Sequence, residues 1–155
     1  MGTFVKQKQS NNLVFLGLVL FMMGLTIGLF VQNMANPRMG LSAHLEGIMN
    51  GLFLMLVGVV WHKFSLSPKW LTTSYWLLIY STFANVLAVL IAAITGAGKM
   101  MPLEGGQEGG AGLETTINFL LISLSLALLF ACTVLTLGYY RFMHQKLHEM
   151  TCTTH

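Results

Sequence analysis

An ionisable pair, His44 and Glu46, lies near the start of the second of four long apolar stretches in the chain. Ionisable side chains are rare within membrane segments because dehydrating a charge costs free energy, so they usually mark functional sites. An imidazole can ligate a metal ion, and a carboxyl group can donate or accept a proton. The chemistry of this chain is therefore expected around these two residues.

Helical geometry divides the neighbours of this pair between two faces. At about 100° per residue, Gly47 and Gly51 fall on the side of His44, whereas Glu46 and Asn50 share another side. Two hypotheses for the glycine side stay open. The glycines either pack closely against another helix, with His44 hydrogen-bonded across the interface, or leave room for a flat macrocycle whose iron His44 ligates. The pattern alone favours packing.

Further polar side chains lie in the third and fourth apolar segments. Asn85 is expected at the depth of Asn50, with Tyr80 and Ser81 about one turn away, and Asn118 lies near the outer end of the fourth segment. A single buried amide usually forms a hydrogen bond between helices. Several polar groups in the outer half of one small bundle predict a polar pocket there.

The composition indicates a membrane protein. Of 155 residues, 55% are hydrophobic and 8% are charged, whereas soluble domains carry about 25% charged residues. Four segments are each long enough to cross a hydrocarbon core of about 30 Å as a helix. The chain is therefore predicted to be one all-α domain, residues 1–155, forming an integral membrane four-helix bundle with helices at 12–34, 41–62, 69–96 and 115–142.

The basic residues are distributed unevenly along the chain. Six of the eight lie at the N-terminus, in the second connection or in the C-terminal tail, namely Lys6, Lys8, Lys63, Lys69, Arg141 and Lys146. The positive-inside rule therefore predicts that both termini are cytoplasmic. The net charge of +3 reflects this sidedness and indicates a lipid bilayer as the surrounding partner, with no nucleic-acid partner.

The connections between the helices also contain residues that predict local structure. Asn36-Pro37 predicts a short turn after the first helix, and Ser67-Pro68 predicts an N-cap followed by proline in the first helical turn. The glycine-rich third connection, 96–114, is expected to be a slack connector and less plausibly a mobile lid. The aromatic residues at the helix ends, including Trp61, are expected to fill the core and to act as interfacial anchors.

Two stretches resemble a known family. The runs ANPRMGLSAHLEGIMNG at 35–51 and YSTFANVLAVLIAAITGAGKMMPL at 80–103 closely resemble bacterial membrane-bound hydroxylaminobenzene mutases. More distantly, the chain is similar to styrene oxide isomerase over roughly residues 12–140. The resemblance implies a multi-pass isomerase of the bacterial inner membrane, assembled as a homotrimer and acting on a small aromatic substrate in aromatic degradation.

The resemblance also implies site roles. It implies haem b at subunit contacts, with His44 as the axial metal ligand and Gly47 and Gly51 beside the cofactor. Asn50 and Asn85 would then orient the substrate.

The predicted substrate pocket further includes Tyr80, Ser81 and Asn118, from their positions in the apolar segments, and Val89. Epoxide isomerases are expected to carry tyrosine where this chain has Val89, which puts epoxide opening in doubt. Glu46 is typical of the mutase branch.

The leading hypothesis is a mutase that converts hydroxylaminobenzene into an ortho-aminophenol, with ferric haem as a Lewis acid and Glu46 moving the proton. An epoxide-to-aldehyde isomerase is one alternative. Another is a small b-type cytochrome serving quinone, but His62 lies about 27 Å from His44 along the helix. A third is a transport or scaffold bundle in which His44 and Glu46 form a buried ion pair.

Overall fold

The fold consists of four long helices joined by short connections. The computed structural model describes the backbone of residues 2–153 and the side chains of residues 3–147. All four helices are long and apolar enough to cross a membrane, which confirms the predicted all-α membrane fold. The helices are α1 (Gly2–Phe30), α2 (Pro37–Val60), α3 (Pro68–Thr95) and α4 (Ala111–Thr153), with single 3₁₀ turns at Val31–Asn33, Trp61–Lys63 and Pro102–Glu104.

Two helices are longer than the apolar pattern predicts. The first helix begins at Gly2 rather than near position 12, and α4 continues to Thr153 rather than ending near position 142. Hydropathy detects only the part of a helix that crosses the hydrocarbon core. Polar residues such as Lys, Gln and Glu are good helix formers, so both helices continue beyond the apolar part.

The start of α2 is set by Asn36 and Pro37. The Asn36 side chain accepts a hydrogen bond of 3.2 Å from the backbone N–H of Met39, and proline occupies the first helical turn. Because proline lacks an N–H and has a suitable φ, it fits that position well. The proline therefore begins α2 at residue 37, earlier than the predicted 41. Ser67 precedes Pro68 in the same way before α3, although its side chain forms no capping hydrogen bond in the described structure.

Neighbours in sequence are neighbours in space. The packed helix pairs are α1 with α2, α2 with α3, and α3 with α4, and a smaller contact joins α1 to α3. Within the described residues, the backbone of α4 closely approaches neither α1 nor α2. The bundle is therefore open along one side of α3, where Phe53 and Val57 of α2 and Cys132 and Leu135 of α4 line a groove between the two helices.

Glycines form the contact between α1 and α2. A Cβ atom added to Gly47 would lie 2.5 Å from the Cα of Gly24, and one added to Gly51 would lie 2.7 Å from the carbonyl oxygen of Gly17. Such distances leave no room for any side chain. The two backbones are in direct contact, as in helix pairs that use small residues in membranes.

One end of the bundle, called here the termini end, holds both ends of the chain and the α2–α3 connection. Lys6 Nζ donates to the carbonyl of Phe64, and Ser65 Oγ donates to Gln145 Oε1. Trp61 is fully buried here, and its Nε1–H donates to Gln9. Trp61 therefore fills the core, as one part of the prediction has it, with its N–H satisfied by Gln9 and not by the membrane interface.

The opposite end, called here the loop end, is covered by the third connection. Gly98 N donates to Gln107 O, and Gln107 N donates to Gly96 O. The Glu114 carboxylate accepts backbone hydrogen bonds from Gly98, Lys99 and Gly109. The prediction of a slack connector is therefore wrong.

The glycines of this loop serve its tight folding. Gly96 ends α3 with φ of +74°, and Gly105 follows the 3₁₀ turn with φ of +75°. Both values lie in the region that disfavours side chains. A Cβ atom at Gly106 would collide with the carbonyl of Gly98. The many glycines of this loop let its backbone segments approach each other closely. From the sequence alone, such a loop cannot be distinguished from a flexible connector.

Candidate active site

His44 faces α1. Its Nδ1 lies 2.7 Å from the carbonyl oxygen of Gly24. A carbonyl oxygen can only accept, so Nδ1 carries a proton, and in the neutral ring the lone pair is then on Nε2. Gly28 provides space for the ring, since a Cβ atom there would lie 2.5 Å from Nδ1. The predicted hydrogen bond across the helix interface is confirmed.

Gly47 and Gly51 lie in the contact with α1 described above. The space beside them that a flat macrocycle would need is filled by the α1 backbone. The structure therefore corrects the idea of an open groove of glycines beneath His44. A direct role of these two glycines in holding a cofactor stays a prediction.

The donor set at His44 fits a metal ligand. Histidines that bind metals usually donate the other ring N–H to a carbonyl or carboxylate, which fixes the ring and leaves one nitrogen for the metal. His44 has this arrangement through Gly24. Across the described residues, no three His, Cys, Asp or Glu side chains come together as a metal site. An iron held here would rest on a porphyrin and one imidazole.

Glu46 lies on another face of α2 and does not pair with His44. Its side chain is half-buried, and its Oε2 is buried with no hydrogen-bond partner among the described residues. The hypothesis of a buried His44–Glu46 ion pair is therefore wrong. A carboxyl group without a partner in a membrane helix is rare, because its desolvation is not offset.

Glu104 is a further residue of this region that the sequence did not indicate. It ends the 3₁₀ turn of the loop, and the Asn36 side chain at the start of α2 donates to its backbone carbonyl at 3.0 Å. Its Oε2 is also buried without a partner in the part of the chain described. The sequence signal was weak, since Glu104 is one of five acidic residues and stands in a loop whose folding could not be foreseen.

The predicted amides are placed on three helices. Asn50 follows Glu46 by one turn of α2, and both Asn50 and Asn85 are half-buried. Asn118 lies on α4, one turn after Glu114, and its Oδ1 is buried with no donor within residues 3–147. Glu46 and Asn50 thus share a face of α2, as the helical pattern predicted.

The other predicted pocket residues are placed differently. Ser81 is fully buried, and its hydroxyl donates to the carbonyl of Leu78 in its own helix. Val89 is 2% exposed and is part of the core. Tyr80 is 40% exposed, and its hydroxyl lies 2.6 Å from Ser123 Oγ.

Tyr80 also lines a cavity. The cavity has a volume of about 370 Å³, and its lining includes Met23, Phe83, Leu87, Leu90 and Leu120. Glu46, Asn50 and Asn85 are not part of that lining. Glu46 and Asn85 lie in the halves of their helices nearer the loop end, Asn50 lies near the middle of α2, and Tyr80 lines a cavity to which none of the three contributes.

Comparison with known proteins assigns the family. A family model described as styrene oxide isomerase matches residues 9–140. The chain belongs to the styrene oxide isomerase family. Members of this family include isomerases, and the chain is an isomerase.

Two relatives of this chain carry the name hydroxylaminobenzene mutase. HabB from Ectopseudomonas oleovorans is 44% identical over 131 residues, which cover 83% of this chain and 80% of HabB. HabA from the same organism is 43% identical over 127 residues, which cover 81% of this chain and 94% of HabA. No solved structure matches. The predicted membership of the hydroxylaminobenzene mutase group is confirmed.

Proposed function

We propose that this isomerase rearranges an aryl hydroxylamine, with hydroxylaminobenzene as the model substrate, into an ortho-aminophenol. Two relatives that cover most of the chain are named for a mutase of hydroxylaminobenzene. The structural observation that carries the proposal is the Glu46 carboxyl group, whose Oε2 is buried and unpartnered within the described residues. Its membrane helix also carries Asn50 one turn away.

The rearrangement needs one group that handles protons. The N–O bond breaks, and a C–O bond forms at the ortho carbon of the ring. That carbon loses its hydrogen as a proton, and the nitrogen gains one, so no electrons enter or leave. Glu46 accepts the ring proton on its carboxylate and returns a proton to the nitrogen, the usual work of a positioned general acid and base.

The surrounding residues hold the substrate and limit access of water. The Asn50 and Asn85 amides orient the polar group of the substrate, and the apolar side chains around them exclude water that would capture an electron-poor ring. The folded loop 96–110 covers this end of the bundle, held by the Glu114 carboxylate. Aryl hydroxylamines dissolve in lipid, and the open side of the bundle between α2 and α4 offers them a route from the bilayer.

The proposal also includes a haem b cofactor. His44 would hold a haem b through Nε2, since Nδ1 already donates to Gly24. When bound, the haem iron supplies a Lewis acid that polarises the N–O bond. A homotrimer in the bacterial inner membrane, with both termini cytoplasmic, completes the proposed arrangement.

Epoxide isomerisation is the second candidate, because the matching family is described as styrene oxide isomerase. The two reactions can be compared in one experiment. Protein purified in detergent is given hydroxylaminobenzene in heavy-oxygen water, or styrene oxide, and products are identified by chromatography and mass spectrometry while an absorption spectrum records any bound haem. We expect 2-aminophenol that carries no heavy oxygen, because the oxygen moves within the molecule. Formation of phenylacetaldehyde alone would assign the epoxide reaction instead.

A further inference from the structure

A cavity of about 820 Å³ lies at the termini end, between the start of α1, the α2–α3 connection and the start of α3. Its lining combines two basic side chains with polar and apolar ones, among them Lys6, His62, Gln9, Thr72, Val5 and Leu71. It is called here the basic cavity. Neither His44 nor Glu46 contributes to this lining, so the cavity is distinct from the proposed active site.

Hydrogen bonds between helices hold the walls of the basic cavity in place. Gln9 of α1 is buried, and its Nε2 donates to Thr72 Oγ1 of α3 at 3.3 Å. Its Oε1 accepts from Trp61 Nε1 at 3.2 Å. Trp61 directly precedes His62 in the same 3₁₀ turn. The three elements that surround the cavity are therefore fixed relative to one another by contacts within the protein.

Lys6 is the main cation of the basic cavity. Lysines near the ends of membrane helices usually extend their ammonium groups into water. The half-buried Lys6 instead turns to the α2–α3 connection, where Nζ donates to the carbonyl of Phe64 at 2.9 Å. An ammonium group has three N–H donors, so two remain for a ligand. The exposed ring of His62 lines the same cavity and supplies at least one more N–H.

The charges around the basic cavity favour an anion. Lys63 and Lys69 lie next in sequence to residues of its lining. Pro68, the first residue of α3, also lines it, and the N-terminal end of a helix carries positive partial charge. The acidic side chains that the structure describes all lie toward the loop end, namely Glu46, Glu104, Glu108 and Glu114. The field at the cavity is therefore positive, which attracts anions.

The position and the apolar walls of the cavity favour a lipid over a free ion. The ends of membrane-spanning helices lie at the level of the lipid head groups, and helix ends surround this cavity. Val5, Leu66 and Leu71 give it apolar lining beside the basic groups. A phosphate ion gains nothing from those side chains, whereas a phospholipid buries part of an acyl chain against them. Basic pockets between membrane helices are suited to anionic head groups.

We propose that the basic cavity is a binding site for an anionic phospholipid. Lys6 and His62 donate to the phosphate, and the first part of an acyl chain lies against Val5, Leu66 and Leu71. The bound lipid joins the start of α1 to the α2–α3 connection, in addition to the hydrogen bond from Lys6. This site is separate from the proposed reaction and does not depend on it.

Native mass spectrometry of the full-length protein in detergent tests the site by counting bound lipids. Phosphatidylglycerol and phosphatidylcholine with the same acyl chains are titrated in turn. We expect the unmodified protein to bind one phosphatidylglycerol more tightly than any phosphatidylcholine. Its Kd should rise about fivefold in Lys6→Gln, the usual contribution of one lysine to binding of anionic lipid. Lys6→Arg, which keeps the charge, should retain the affinity.

A second variant covers the case in which Lys6→Gln does not assemble. His62→Gln removes the other proposed donor without touching the hydrogen bond between Lys6 and Phe64. We expect it to raise the Kd for phosphatidylglycerol about threefold, as for the loss of one hydrogen bond. An unchanged Kd in both variants would overturn the proposal.

Lys8→Gln is the matched control. Lys8 lies two residues further along α1, is exposed and does not line the cavity, so the loss of its charge should leave the Kd nearly unchanged. An equal rise in Lys6→Gln and Lys8→Gln would show only a general attraction between charges and would overturn the proposal. Equal binding of the two lipids by the unmodified protein would also contradict it. Displacement of phosphatidylglycerol by inorganic phosphate at constant ionic strength would assign the cavity to the free ion instead.

Discussion

The two ends of this bundle treat their buried polar groups in opposite ways. At the termini end, Gln9 accepts from Trp61 and donates to Thr72, and Ser10 Oγ donates to the carbonyl of Gly58 at 2.7 Å. Toward the loop end, Glu46 Oε2, Glu104 Oε2 and Asn118 Oδ1 are buried and have no donor in the described structure. Hydrogen bonds at the termini end join helices, whereas these three acceptors take part in none.

The comparison has one exception. Ser74 Oγ, on the half of α3 nearest the termini end, is buried and also lacks a partner within residues 3–147. A hydroxyl carries no charge, so its desolvation is less costly than that of a carboxylate. The contrast between the ends therefore rests on the two carboxyl groups, Glu46 and Glu104. The following changes test it, beginning with the largest expected effect.

Replacing Glu46 by Gln removes the proposed proton carrier but keeps the size of the side chain. We expect kcat for hydroxylaminobenzene to fall by about 10²- to 10⁴-fold, the usual contribution of a general acid and base. Bound haem, read from the absorption spectrum, and the thermal midpoint in detergent should change little. Steady-state kinetics provide the measurement, and full activity in this variant would remove Glu46 from the mechanism.

Replacing Gly47 by Ala tests the close contact between α1 and α2 that positions His44. The added methyl group meets the Cα of Gly24 at 2.5 Å, so α1 and α2 must separate, and the free energy of unfolding should fall by about 1–3 kcal/mol. Unfolding by a denaturing detergent, followed by circular dichroism, measures this change. Gly112→Ala is the control, because nothing lies within 4 Å of its added Cβ, and it should be neutral or slightly stabilising. Equal free energies of unfolding for the two variants would contradict the close contact between α1 and α2.

Replacing Gln9 by Leu tests the termini end. Trp61 Nε1 then loses its acceptor in the core, and the free energy of unfolding should fall by about 1–3 kcal/mol. The kcat of the folded protein should stay the same, because the change is far from Glu46. Gln7→Leu is the matched control, since Gln7 is exposed and bonds only within its own helix to Asn11. A loss of kcat in Gln9→Leu would show that the two ends do not have separate roles.

Replacing Lys99 by Gln should have the smallest effect. Its ammonium group pairs with Glu108, and both side chains are mostly exposed, at 67% and 72%. Exposed ion pairs contribute little because water and salt screen them. We expect no measurable shift in the thermal midpoint and no change in KM. A clear rise in KM would show that this surface of the loop takes part in substrate binding.

The sequence predicted what depends on local pattern. Hydropathy located the four helices, and the spacing of Glu46 and Asn50 predicted their shared face. The resemblance of residues 35–51 and 80–103 predicted the family, which the relatives confirm. The pattern also favoured glycine packing at Gly47 and Gly51, and the structure shows it.

The sequence could not predict what depends on distant partners. Glu104 lies beside the start of α2 because Asn36 donates to its backbone carbonyl and Glu114 holds the loop, and those contacts join residues far apart in the chain. The pattern did not decide whether Trp61 fills the core or anchors the interface, because its acceptor, Gln9, lies on another helix. Helical phase gave the direction of His44 but not its partner, which is a backbone carbonyl of α1.

Infrared difference spectroscopy of 2-aminophenol binding tests the central claim most directly, because it observes the carboxyl groups themselves. If the buried Glu46 carboxyl group contacts the ligand, binding shifts a carboxyl band in the unmodified protein. That signal disappears in Glu46→Gln. Binding of 2-aminophenol with no change in any carboxyl band would contradict the account.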